Sequence, residues 1–385
     1  MKYRLLDLLQ CPHCKGNVEL RVFNSTEASY HDAGKLKDDD VCPSGCNNPD
    51  PGITKAGDRG IHCKRCYNTE IVEGLITCTC GNAYPVARGV PRFLPDAFDQ
   101  HPDFTGEYYD IIKEYAGAVS SRERDYFRKM FKETQSTFGQ QWKTWGRSER
   151  IYGFTDDEAK DWFLTDLTSK DVDAGYFKGK TVLEIGCGHG RFVKILNDLC
   201  DEYVALDLGP SVELAREITQ DRPKVHIIQG NAMFPPLKDE SFDYAWSHGV
   251  LHHTPSTKDA FIAVSKLPKT HGGRCYIWVY HKGGFIWEYG NRFIRSITTK
   301  LPASLLKLIS YSTVPLLYLI PAYNKRVNIS NMSWSECALS THDWLAPKYQ
   351  WHHSPEEVIS WFREQGYEHI EQTSANGVGI TGVRK

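Results

Sequence analysis

One stretch constrains this 385-residue chain more than any other: Val182 to Phe192, VLEIGCGHGRF. The apolar run Val182–Ile185 stops at three alternating glycines, Gly186, Gly188 and Gly190, and helical spacing resumes from Arg191 to Leu199. A buried strand, a turn and a helix are predicted. Glycines in such a turn leave no Cβ between the backbone and a ligand, and the free N–H groups of the next helix face whatever binds there. The spacing is neither the Gly-x-Gly-x-x-Gly of dinucleotide sites nor the Gly-Lys-Ser/Thr of a phosphate loop. The turn alone therefore does not name its ligand.

The strands beyond the turn say more. YVALDLG, Tyr203 to Gly209, is a second apolar strand closing on Asp207, where an acid can take both hydroxyls of a ribose. VHIIQGN supplies a third strand ending at Asn231, and SFDYAWSH a fourth ending near Ser247. Strand alternates with helix, so the sheet is expected to be parallel and doubly wound, with ligands at the carboxyl ends of its strands.

In this combination, E-x-G-x-G-x-G, an acid ending strand two, FDYAWSHGVLHH and LPKTHGGRCYIWVY, the region from Phe177 to Lys385 resembles the class I S-adenosylmethionine-dependent methyltransferases. The resemblance implies an α/β, Rossmann-like seven-stranded sheet ending in an antiparallel pair, EHIEQT and GVGITGVRK. It implies that S-adenosylmethionine lies with Glu184, Gly186 and Gly188 at its methionine end, Asp207 at its ribose, and Asn231 with Ala232 beside its adenine. Cys187, Leu208 and Ser247 are the further cofactor-contact candidates. Many relatives carry an acid where Asn231 stands, but an amide oxygen can still accept from the adenine amino group.

Eight of the twelve cysteines precede residue 81, as Cys11 and Cys14, Cys42 and Cys46, Cys63 and Cys66, Cys78 and Cys80. Paired thiols at this spacing read as zinc knuckles, four thiolates per tetrahedral site, so two Zn2+ ions are expected. The competing reading, a disulfide framework, needs an oxidising compartment. MKYRLLDLLQ carries no cleavable leader pattern, so a cytoplasmic location is expected. LLDLLQCPHCKGNVEL and EGLITCTCGNAYPVARGVPRFLP resemble the zinc-ribbon activator subunit that partners tRNA, rRNA and release-factor methyltransferases. That resemblance covers residues 1–95 and makes 38–66 an insertion carrying the second knuckle pair. The usual second knuckle is C-x-x-C-G, whereas here Cys78-Thr79-Cys80-Gly81 stands. A small domain with little apolar core needs a metal simply to fold, so the expected role of the zinc is structural.

Residues 96–175 read as a helical linker and cofactor lid, with helical stretches in EYYDIIKEYAGAV and SRERDYFRKMFKETQ. Next comes FGQQWKTWG, in which Trp142 and Trp145 are lid candidates whose alternative is ordinary packing on the core. Residues 176–385 form the methyltransferase domain, interrupted by an apolar insertion at 282–349. Its run between Pro302 and Pro321 is too short and too broken for a transmembrane segment. The insertion is expected to cap the substrate pocket with its apolar side chains buried; a monotopic membrane contact is the alternative. Ser354, Pro355 and Glu357 form a helix start, and Gly366 ends that helix.

Candidate catalytic groups cluster at the same rim: His252 and His253 after strand four, Tyr280 ending strand five, and Asp343 and His352 in the returning loop. A histidine there could take a proton from an acceptor; the bland alternative is a bond to the loop backbone. No Asn/Asp-Pro-Pro-Tyr/Phe and no Pro-Cys stand after strand four, which argues against nucleobase amino groups and pyrimidine carbons as acceptors. The formal net charge of −2 offers no global pull on phosphates. The acceptor expected is a small, partly apolar metabolite. The alternative is an RNA or protein presented by the ribbon.

Overall fold

The computed structural model describes residues 1–27, 67–115, 121–318, 332–374 and 377–385. The insertion 38–66, with Cys42, Cys46, Cys63 and Cys66, lies outside the described residues. An amino-terminal antiparallel sheet is formed by β1 (Val18–Glu27), β2 (Thr69–Cys78), β3 (Ala83–Ala87) and β4 (Val90–Pro91), in that spatial order.

The larger sheet begins at the glycine turn. β5 (Thr181–Ile185), β6 (Glu202–Asp207), β7 (Val225–Gln229), β8 (Tyr244–His248) and β9 (Arg274–His281) are parallel neighbours. β11 (Tyr367–Ser374) and β12 (Val378–Arg384) add an antiparallel end, giving the order β11-β12-β9-β8-β5-β6-β7. The central strands are nearly continuous apolar runs because helices cover both faces. Strand order reverses at β5, whose successor β6 lies on one side and β8 on the other, so a cleft opens over their carboxyl ends. A strand beyond the expected seven is also present. β10 (His352–His353) pairs with the end of β9, opposing His352 to Tyr280, because the returning loop satisfies its backbone on that exposed strand end.

The helices used below are α1 (Ser121–Trp145), α2 (Arg191–Leu196), α3 (Val212–Ile218), α4 (Thr257–Val264), α5 (Phe285–Thr298), α6 (Ala303–Tyr318), α7 (Trp334–Leu345) and α8 (Pro355–Glu364). Ser354 caps α8 by accepting from the Glu357 N–H (3.2 Å), and Gly366 stands just beyond it at φ 77°. FGQQWKTWG is not a separate patch but the last turns of α1. No helix among the described residues is long and apolar enough to cross a membrane.

The two sheets share one core. Leu5, Leu9, Ile71 and Val86 pack in the same cluster as Leu183, Ile185, Ile228 and Leu237. The chain leaving β4 then pairs with the open edge of the larger sheet: Arg92 bridges Gln229 in parallel, and the Phe93 N–H donates to the Gln229 carbonyl (2.8 Å). An unpaired edge strand is thereby covered. Buried Arg92 donates to Gln229 Oε1 (3.1 Å), the Ala87 carbonyl (3.0 Å) and Glu213 Oε1 (2.6 Å). Glu202 accepts from Arg4 (2.9 Å) and bonds His226 (2.9 Å). Burial alone would raise its carboxyl, but the bonds from His226 and Arg4 outweigh it and hold the group down at about 2.

The insertion departs from expectation. Its α7 does close over the rim, where Trp145 Nε1 donates to Ser335 Oγ (3.0 Å) and Tyr280 Oη to Asp343 (3.3 Å). α5, however, turns its polar residues inward and leaves Phe285, Ile286, Tyr289 and Phe293 exposed. The surface it packs on explains this. That surface presents the carbonyls of Trp344, Leu345 and Pro347, which need donors, and Arg295 and Thr298 supply them.

Candidate active site and metal centre

The glycine turn is built to be approached closely. Gly186 and Gly188 have φ of 84° and 54°. A Cβ on Gly186 would stand 2.2 Å from Val250 Cγ2, and one on Gly188 would stand 2.9 Å from the indole nitrogen of Trp142. α1 therefore lays Trp142 directly over the turn, and Trp142 rests in turn on the His189 ring (centroids 4.5 Å apart).

Two carboxyl groups end the adjacent strands β5 and β6. Asp207 accepts from the amides of Gly188 (2.8 Å) and Gly209 (2.7 Å), so the second strand's acid organises the first strand's turn. Burial raises its pKa, and those amides pull it back. Glu184 is buried and accepts from Tyr203 Oη (2.8 Å). Burial pushes its pKa up to about 8; the Tyr203 bond opposes the rise and the Asp207 charge adds to it. A carboxyl held this way is ready for a cationic ligand group, which would restore its charge.

The remaining cofactor candidates divide. Asn231 Oδ1 accepts from the Met233 N–H (3.0 Å), shaping the turn after β7 beside buried Ala232. Leu208 and Met233 pack against Phe127, Met130 and Phe131 of α1. The Leu208 carbonyl accepts from Gln135 (3.0 Å) and Gln229 (3.3 Å). Ser247 is buried and donates to the Ile185 carbonyl (3.0 Å), which ties β8 to β5 and leaves its hydroxyl spent. Cys187 is buried, and its thiol is pushed well up by that burial.

At the β8–β9 rim the structure brings His252, Tyr280 and Asp343 together. His252 is fully buried, its ring centroid lies 4.0 Å from that of Tyr280, and neither ring nitrogen has a hydrogen-bond partner. Burial, and after it the neighbouring histidines, keeps its imidazole neutral. Two unpaired buried nitrogens are a cost that a ligand donor would relieve. Asp343 accepts from Tyr280 (3.3 Å) and Gln141 (3.1 Å), and burial raises its pKa. His253 instead bonds the Tyr349 carbonyl (2.8 Å), and His352 is held by Glu288 (2.8 Å) on the outer side of Tyr280.

Sequence reasoning missed Gln141 and Tyr152. Both are held at Asp343, and Gln141 Nε2 also donates to Tyr152 Oη (3.2 Å). Gln141 lies within FGQQWKTWG, but its role depends on a partner 202 residues away, for which sequence carries no signal.

In the amino-terminal unit Cys11, Cys14, Cys78 and Cys80 converge, their sulfurs all within 4.8 Å of one another. Cys11 and Cys80 are 3.7 Å apart and Cys14 and Cys78 3.3 Å. Thiolates around a tetrahedral zinc at about 2.3 Å stand roughly 3.8 Å apart, so the set fits such an ion. The Gly16 N–H donates to Cys14 Sγ (3.4 Å), and both Cys78 and Cys80 belong to the cluster.

Comparison with known proteins agrees with this architecture. Residues 183–277 match the family described as methyltransferase domain, and residues 2–89 the family described as Trm112p-like protein. An uncharacterized protein of Methanocaldococcus jannaschii is 36% identical over 108 residues, 28% of this chain and 38% of that protein. Phosphoethanolamine N-methyltransferase 2 of Caenorhabditis elegans is 33% identical over 116 residues, 28% of this chain and 26% of that enzyme. The tRNA (carboxymethyluridine(34)-5-O)-methyltransferase of Saccharomyces cerevisiae is 28% identical over 111 residues, 27% of this chain and 38% of that enzyme. The chain thus spans 26% to 38% of the length of these relatives. Its sheet order, its glycine turn and these two matches together identify a methyltransferase domain joined to an amino-terminal Trm112p-like domain.

Proposed function

We propose that this chain transfers a methyl group from S-adenosylmethionine, bound over the carboxyl ends of β5, β6 and β7, to a small, partly apolar acceptor at the β8–β9 rim. The cofactor would supply an electrophilic methyl on a sulfonium, so alignment and removal of a proton are what the chain must add. One observation carries the reading: buried Glu184 and half-buried Asp207 stand at the ends of adjacent strands beside a glycine turn, where Asp207 accepts from the Gly188 N–H and over which the Trp142 indole lies.

Glu184 would face the ammonium of the methionine end, and Asp207 the ribose hydroxyls. Leu208, Asn231 and Ala232 would flank the adenine. His252, neutral and with both nitrogens unpaired, would accept the proton of an acceptor hydroxyl or amine, while the Tyr280–Asp343 pair orients that acceptor. The four thiols would hold one zinc with a structural role, since four ligands leave no open position. The second zinc falls to cysteines outside the described residues.

An apolar acceptor is supported by the aromatic lining of the rim, Trp278, Tyr280 and Trp344, whose rings pack on one another. A second reading, an RNA or protein acceptor, is favoured by the Trm112p-like match and by the yeast relative that acts on tRNA.

Calorimetric titration tests the donor. S-adenosylhomocysteine should bind, and Asp207→Ala should weaken it about 10- to 100-fold, the equivalent of losing a charge-assisted partner worth about 1.5–3 kcal/mol. Binding of NADH with no response to S-adenosylhomocysteine would sink the reading.

A further inference from the structure

α5 is built inside out for a helix in water. Asn291, Arg295 and Thr298, at i, i+4 and i+7, are its buried residues, and each is spent on an anchor. Asn291 Nδ2 donates to Gln350 Oε1 (3.0 Å), Arg295 to the carbonyls of Trp344 (2.6 Å) and Pro347, and Thr298 to the carbonyl of Leu345 (3.0 Å). The opposite face carries Phe285, Ile286, Tyr289, Phe293, Ile294 and Ile297, with Ile286 88% and Phe293 70% exposed. On α6, Leu305, Leu308 and Leu316 are exposed as well. A surface helix in water shows the reverse arrangement, and an exposed apolar face of this kind marks an interaction site.

The charges around the patch say what covers it. Between residues 282 and 307 stand Lys282, Arg292, Arg295, Lys300 and Lys307 against one acid, Glu288. That acid is already taken by His352 (2.8 Å) and by the Gly283 N–H (2.7 Å). Lys282, Arg292 and Lys300 are exposed on or beside α5, whereas the Lys307 ammonium lies 5.9 Å from the Trp145 ring centroid. A second copy of this chain is a poor occupant, since a symmetric contact would set two positive rims against each other.

We infer that α5 and the adjoining part of α6 form a membrane-surface anchor, which lies in the interface of an anionic bilayer with its apolar face among the acyl chains and its basic rim at the headgroups. Basic residues beside an apolar helix face are the chemistry that anionic lipid surfaces select. The groove between α5 and residues 348–352, about 720 Å3, carries Arg292, Arg295 and Lys348 at its wall and would lie at headgroup level. The inference does not rest on the acceptor's identity, since it is drawn from the outward face of α5 and α6.

Co-sedimentation of the full chain with vesicles decides the matter. The protein should sediment with phosphatidylcholine vesicles containing about one third phosphatidylglycerol, should not do so with phosphatidylcholine alone, and should release as salt rises past about 0.5 M. Ile286→Glu with Phe293→Glu should cut the partition at least tenfold, and Arg292→Glu about fivefold or more. All three positions are exposed, so unchanged S-adenosylhomocysteine binding and an unchanged melting curve verify folding. Absence of binding to the anionic vesicles at low salt overturns the inference. So does binding that survives the double substitution, or a dimer in solution that Ile286→Glu dissociates.

Discussion

Replacing Arg92 with alanine should loosen the joint between the two sheets and, through it, the cofactor cleft. The side chain is 1% exposed, and its three acceptors belong to its own hairpin, to β7 and to α3. Removal leaves Gln229 Oε1 and the Ala87 carbonyl without their charged donor, at about 1.5–3 kcal/mol each. The Glu213 pair adds little, because that carboxylate is 38% exposed and hydrates once freed. Burial lowers the pKa of Arg92, so part of the loss is returned when the guanidinium no longer has to be desolvated. The net cost is about 2–4 kcal/mol, which is about 2–5 °C in melting temperature for a chain of this size. Scanning calorimetry should show a single transition in both proteins, since one apolar core runs through both sheets. Affinity for S-adenosylhomocysteine should fall severalfold, because Gln229 also donates to the Leu208 carbonyl at the cleft. Arg92→Lys, which keeps the charge but not the fork, should lie between. A melting temperature within about 1 °C of the wild type, or an early transition that leaves the methyltransferase transition unmoved, would refute the reasoning.

Two further outcomes are expected. Elemental analysis of the purified chain should show that Cys80→Ser releases one equivalent of zinc; unchanged metal content would remove Cys80 from the site. The pH dependence should expose Glu184, whose folded pKa of about 8 exceeds the unfolded value near 4.5. Below about pH 4.5 both states hold the proton and stability is unaffected; between there and about pH 8 the unfolded state releases it and the folded state does not, so stability is lost as pH rises. Glu184→Gln keeps an acceptor for Tyr203 without this penalty. From pH 5 to pH 8 its stability relative to the wild type should therefore rise by roughly 2–4 kcal/mol in urea unfolding, and a constant difference would contradict the burial argument.

Much of the fold was legible because its signals are local. The strand–turn–helix at Val182 needs only an apolar run and glycines at positions where the backbone takes positive φ. Asp207 marks the end of β6 by its place after YVAL, and the start of α8 is written in Ser354, Pro355 and Glu357. Each lies within one or two turns of chain, so composition and spacing suffice. The four-thiol cluster was also legible as paired spacings, although the joining of Cys78 and Cys80 to Cys11 and Cys14 required the β1–β2 pairing to bring residues more than 60 apart into contact.

Tertiary structure decided the rest. Of the candidate histidines, only the fold separates His252, whose nitrogens are unpaired against Tyr280, from His253, spent on the Tyr349 carbonyl, and His352, turned to Glu288. The setting of Asp343 depends on Gln141 from α1, and the orientation of α5 depends on three carbonyls that lie 47 to 52 residues further along the chain. A side chain's chemistry is fixed by its type, but whether that chemistry is spent or available depends on which buried donors and acceptors the rest of the chain brings to it. Sequence determined which groups this protein has to work with, and packing determined which of them are left unsatisfied, because hydrogen bonds are made across the fold and not along the chain.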